Sequence, residues 1–149
     1  MNRDFSEMLA ALCGAGAEFL VVGAHALAAH GRPRATGDLD LWVRPTKQNA
    51  LLVWQALTAF GAPLAGLKLS DLSDPDVVFQ MGVPPNRIDI LTAIDGVEFE
   101  SAWKNRIRVK LAGLEIPVLG RDDLLANKRA AGRPKDLADV AWLESKAAP

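Results

Sequence analysis

Apolar residues recur along this chain with two periods. Phe5, Met8, Leu9 and Leu12 are spaced near 3.6, with Gly14 just beyond, which predicts a helix over residues 4–15. Phe19-Leu20-Val21-Val22 is a short unbroken apolar run and reads as a buried strand, ended by Gly23-Ala24. His25 to His30 is Ala-rich and reads as a short helix stopped by Gly31, followed by a loop over residues 32–37. Leu39, Leu41 and Val43 then alternate with polar positions, the period-2 signature of a strand. Thr46 is a good N-cap for a helix to about Phe60, packed through Leu51, Leu52, Trp54, Leu57 and Phe60.

Residues 61–76 carry Pro, Gly, Ser and Asp without a clear period and are expected to form a long loop. Strands follow at 77–81 and 87–91 across a Pro84-Pro85-Asn86 turn, and 97–103 fits a short strand or a turn of helix. Residues 106–110 and 114–119 read as a hairpin around Gly113. Two helices, about 121–131 and 135–146, close the chain, separated by a Gly132 stop and a Pro134 start. The strands outnumber a simple βαβα alternation. The expected fold is therefore α/β (α+β): one domain over 1–149, a mixed β-sheet with helices mainly on one side, and two C-terminal helices.

The strand at 39–43 carries the chemistry. With Leu39, Leu41 and Val43 on one face, Asp38 and Asp40 share the other. Adjacent carboxylates repel, and burying them unpaired costs several kcal/mol, on the order of what a cation would relieve. Hard carboxylate oxygens suit Mg²⁺ or Mn²⁺. Asp89 sits in Arg87-Ile88-Asp89-Ile90-Leu91, again with apolar residues on the opposite face. If the two strands are neighbours, three acids converge on one face, enough for metal-assisted phosphoryl chemistry. Asp89 would also help accept a proton. Gly23-Ala24, at a strand end, lets backbone approach a phosphate closely.

Composition narrows the setting. Half of the 149 residues are hydrophobic, 23% are charged and net charge is -1, which gives no overall basic field to attract nucleic acid or anionic lipid. The single Cys13 excludes an intrachain disulfide framework and a zinc ribbon, and its apolar neighbours make it a packing residue. No apolar run reaches the roughly 18 residues of a membrane span, so the expectation is a soluble cytoplasmic protein without a membrane partner.

Gly23-Ala24, thirteen residues, then Asp38-Leu39-Asp40-Leu41, with Asp89 downstream, resembles the DNA polymerase β-type nucleotidyltransferase superfamily. That pattern is a hydrophobic residue, Gly, Gly or Ser, a spacer, Asp-x-Asp/Glu, and a later Asp on a neighbouring strand. Over nearly the whole chain the sequence is similar to small bacterial nucleotidyltransferase-fold proteins, including those related to the AbiEii toxin of toxin–antitoxin systems. Val22-Gly23-Ala24-His25-Ala26-Leu27, Arg34-Ala35-Thr36-Gly37-Asp38-Leu39-Asp40, Arg87-Ile88-Asp89-Ile90-Leu91 and Asn127 to Asp136 carry that likeness. The resemblance implies that Asp38, Asp40 and Asp89 are catalytic and hold Mg²⁺ or Mn²⁺, and that an NTP donates its NMP to an acceptor hydroxyl of RNA, protein or a small molecule. It implies a triphosphate seat at Gly23 and Ala24. Ala24 stands where the family has Gly or Ser and supplies no hydroxyl.

Arg34 and Lys128 are further candidates for nucleotide binding, Arg34 because guanidinium can fork onto phosphate. Lys128, Arg133 and Lys135 form a basic cluster that could hold phosphates or an RNA acceptor, against the plain alternative of a solvated helix face. His25 and His30 read as packed residues, as do Trp42, Trp54, Trp103 and Trp142. An alternative function is a toxin–antitoxin component with a weakened nucleotidyl site that acts through a partner protein.

Overall fold

Asn2 starts the first helix: its side-chain oxygen accepts from the N–H groups of Asp4 and Phe5, and Gly16 in the left-handed region ends the helix. A computed structural model describes residues 1–33, 37–83 and 85–146. In chain order these form α1 (Arg3–Ala15), β1 (Phe19–Val22), α2 (Gly23–Ala29), β2 (Leu39–Val43), α3 (Lys47–Phe60), β3 (Val78–Met81), β4 (Ile88–Leu91), α4 (Phe99–Lys104), β5 (Ile107–Leu111), β6 (Leu114–Val118), α5 (Arg121–Ala131) and α6 (Pro134–Ser145).

The strands make one six-stranded mixed sheet in the order β3-β4-β2-β1-β6-β5. β1 and β2 are antiparallel, whereas β2 and β4 are parallel, with Leu39 opposite Ile88, Asp40 opposite Asp89 and Leu41 opposite Ile90. β1 joins β6 in parallel at Val21 and Val118, and β5-β6 is the expected hairpin. Its turn needs positive φ at both central positions, which Ala112 and Gly113 adopt at 51° and 78°.

Leu39, Leu41, Val43, Phe19, Val21, Ile88 and Ile90 share one face and are all buried. On the other face Trp42 is buried as well, edge-on to Phe99 of α4 with ring centroids 5.0 Å apart. Trp103 stacks on Phe99 in turn, which settles residues 99–104 as helix. α1 packs along α3. Thr46 caps α3 as expected, through its hydroxyl to the Asn49 N–H.

Three expectations change, the first being that Leu51, expected to pack α3, is exposed while Val53 and Ala56 take the core face. The segment 61–76 is not all loop: Leu69–Ser73 forms a short 3₁₀ helix against α3 that buries Leu72. One turn is too short to show a period in sequence. Cys13 does not pack inside but is exposed, because Leu9 and Leu12 take the core face of α1 and the next position turns outward.

Candidate functional site

The parallel register of β2 and β4 sets Asp40 directly across from Asp89, on strands that lie about 4.8 Å apart in any sheet. Asp38 is the residue before β2, on the same side, with about a third of its side chain exposed. The three acids predicted from alternation are therefore brought together. Burial first, then the charge and hydrogen bond of Asp89, then the charge of Asp38 push the Asp40 carboxyl up to about 6. Arg87 opposes the shift.

Arg87, just before β4, binds two of the acids. Its Nε donates to Asp89 Oδ1 at 3.0 Å, and its Nη2 lies 2.9 Å from Asp38 Oδ2 and 3.3 Å from Asp89 Oδ2. The Arg87–Asp89 neighbour pair is visible in the sequence. The link to Asp38 exists only once β2 and β4 lie side by side.

Gly23 closes the third side. A Cβ at this position would lie 2.4 Å from Asp40 Oδ2, and the backbone there has φ 67°. The positive φ favours glycine, and any side chain here would push the Asp40 carboxyl aside. Ala24 follows on α2, so the chain beside Asp40 offers bare backbone. His25, one residue further, lies beside Asp38 and meets the Phe5 ring edge-on at 5.6 Å, with its Nε2 buried and without a hydrogen-bond partner among the described residues. Burial holds its imidazole below the usual range, opposed by the Asp38 bond and charge. The sequence marked His25 as a packing residue, and its seat under Asp38 follows from α2 folding back on β2. His30 instead bonds the Leu119 carbonyl at 2.8 Å.

Next to Asp38 a cleft of about 670 Å³ is lined by Asn2, Phe5, His25, Gly37, Pro85 and Asn86. It falls in the size range of small-molecule sites. Gly37 lies so close to Pro85 that a Cβ would reach 2.0 Å from its carbonyl oxygen, which joins the loops preceding β2 and β4.

Lys128 takes another environment. It is buried on α5, with its Nζ 3.1 Å from Asp139 Oδ2 and 3.4 Å from Asp136 Oδ1, both carboxylates of α6 fully buried. Arg32 reaches the same Asp139 at 3.7 Å, and Arg133 clamps Asp136 at 2.6 Å. The basic cluster is thus tied into the α5–α6 contact, while Lys135 is exposed. Arg34 and Thr36 lie outside the described residues.

Among the described residues, no three or more carboxylate, imidazole or thiolate groups stand arranged to hold a metal ion. The donor chemistry is nevertheless that of a hard cation: three carboxylates from one sheet face.

No protein-family model matches the chain, and no curated protein matches it. Among solved structures, it is similar to a crystal structure from Thermotoga maritima described as a "putative nucleotidyltransferase", with a TM-score of 0.62 and 15% identity. The match covers 97% of this chain and 92% of that one. At that identity the likeness is one of fold: the mixed sheet and its helices form a nucleotidyltransferase fold. Among the described residues no helix is long and apolar enough to cross a membrane.

Proposed function

We propose that this protein is a metal-dependent nucleotidyltransferase that moves an NMP from an NTP to an acceptor hydroxyl and releases pyrophosphate. The observation that carries the reading is the register of Asp40 on Asp89 with Gly23 pressed against Asp40, which pairs acids and bare backbone at one point of the sheet. Asp38, Asp40 and Asp89 would hold Mg²⁺ or Mn²⁺. When bound, such a cation neutralises phosphate charge and makes the acceptor hydroxyl easier to deprotonate. Gly23 and Ala24 let the triphosphate approach the backbone. The acceptor oxygen attacks the α-phosphorus, its bond to the bridging oxygen breaks, and Asp89 helps take up the hydroxyl proton. The cleft beside Asp38 has room for the nucleoside or the acceptor.

Calorimetric titration with NTP and Mg²⁺ tests the site. Asp38→Ala and Asp40→Ala are each expected to weaken binding by about 100-fold or more. Equal binding in the wild type and both variants overturns the assignment. Ala24 favours a second reading, a toxin–antitoxin component with a weakened site that works through a partner protein, since its methyl group cannot donate to phosphate as a serine would. Labelled NTP offered with tRNA and protein acceptors separates the two, because label transfer requires the enzyme.

A further inference from the structure

We infer that Arg87 is a displaceable internal counter-ion of the carboxylate site, and that a divalent cation binds by driving its guanidinium off Asp38 and Asp89. The inference rests on the metal-site reading above and adds a competitor to it. Arg87 has a fixed root and a free head. Its carbonyl oxygen accepts from the Leu39 N–H at 2.9 Å, which ties the backbone to β2. Its side chain is 29% exposed and forks across two acids, 2.9 Å from Asp38 and 3.0 Å from Asp89.

The contrast with Lys128 shows why this cation can leave. Lys128 is 9% exposed, and its partner carboxylates are completely shielded from water. Removing that ammonium would take the central cation from two fully buried carboxylates, although Arg133 and Arg32 still reach them. Arg87 is 29% exposed and its partner Asp38 32%, so that arm is partly hydrated and contributes little net free energy, whereas Asp89 is 9% exposed and gives up the guanidinium only to a cation that takes its place. A divalent ion brings twice the charge to the same oxygens. The released guanidinium stays rooted at the edge of the site, where it can fork onto phosphate. Metal and triphosphate would then bind cooperatively, each offsetting the cost of moving Arg87.

Mn²⁺ titration followed by electron paramagnetic resonance, without nucleotide, tests this on the wild type, Arg87→Gln and Asp40→Asn. Arg87→Gln is expected to tighten Mn²⁺ by about tenfold, a coupling of ordinary allosteric size, and Asp40→Asn to abolish the site. Unchanged or weaker Mn²⁺ binding in a folded Arg87→Gln, with the site still lost in Asp40→Asn, overturns the counter-ion and leaves the metal site standing. Mn²⁺ affinity untouched by Asp40→Asn overturns the metal site and the inference with it. A second measurement needs no variant. In ¹⁵N-labelled wild type the Arg87 Nε–H is protected by Asp89 and is expected to exchange freely at saturating Mg²⁺. Protection that persists there overturns the inference.

Discussion

Asp40 is the residue whose state most depends on its neighbours. Its folded pKa of about 6 lies above the ordinary 3.8, with burial as the first cause and Asp89 the second. A raised carboxyl pKa means that the folded chain holds the proton more tightly than the unfolded chain. Its contribution to stability is therefore fully present below about pH 4 and is lost as pH rises through about 6. Without metal, Asp40→Asn should stabilise the fold at pH 7.5 by on the order of 2 kcal/mol, allowing for partial exposure. The gain should vanish near pH 4. Urea denaturation at the two pH values checks this, and a gain that does not change with pH contradicts it. At this scale the acids were legible, since alternation alone places Asp38, Asp40 and Asp89 opposite apolar neighbours. The double grip of Arg87 and the seat of His25 were not, because each depends on a residue brought close by another strand or helix.

At the scale of elements, α5 and α6 are joined by charge as well as by apolar packing. Lys128 sits between Asp136 and Asp139, with Arg133 and Arg32 outside them. Burial alone would raise the Asp136 carboxyl, but Arg133, and then Lys128, bring it below the usual range. This pair of helices accordingly contributes stability above the ordinary carboxylate range and loses it on acidification. Lys128→Met would take one cation from two buried carboxylates that Arg133 and Arg32 still reach, and should cost about 1–3 kcal/mol in chemical denaturation. The folded fraction of that variant should keep its NTP affinity. A fall in affinity would give Lys128 a phosphate contact after all. The sequence showed both helices, their Gly132–Pro134 break and a basic cluster, yet it showed neither partner of Lys128. Period locates a helix face but not what lies across from it.

The whole molecule is organised around β1, β2 and β4. β2 is flanked by strands on both sides and covered on both faces, by Leu39, Leu41 and Val43 on one and by Trp42 under Phe99 on the other. The β5–β6 hairpin lies at the far edge and joins the rest through the short β1–β6 register. Backbone amides of β1 and β2 should exchange with solvent only through global unfolding, while those of the hairpin open at lower free energy. Hydrogen exchange read by mass spectrometry checks this, and uniform protection across the sheet would contradict it. The candidate site thus lies on two interior strands, β2 and β4, as the precise placement of reacting groups requires.

By itself the sequence determined most of the elements, the faces that β2 and β4 bury, and the acids on the opposite face. These follow from local spacing, and spacing is written in the chain. Only the tertiary structure decided that β4 pairs with β2 in parallel, which turns two separate acid patterns into one cluster. It also decided that Gly23 presses on Asp40 and that Arg87 bridges Asp38 and Asp89. Those relations join residues far apart in sequence, and strand order is settled by how the whole core is buried rather than by any local pattern.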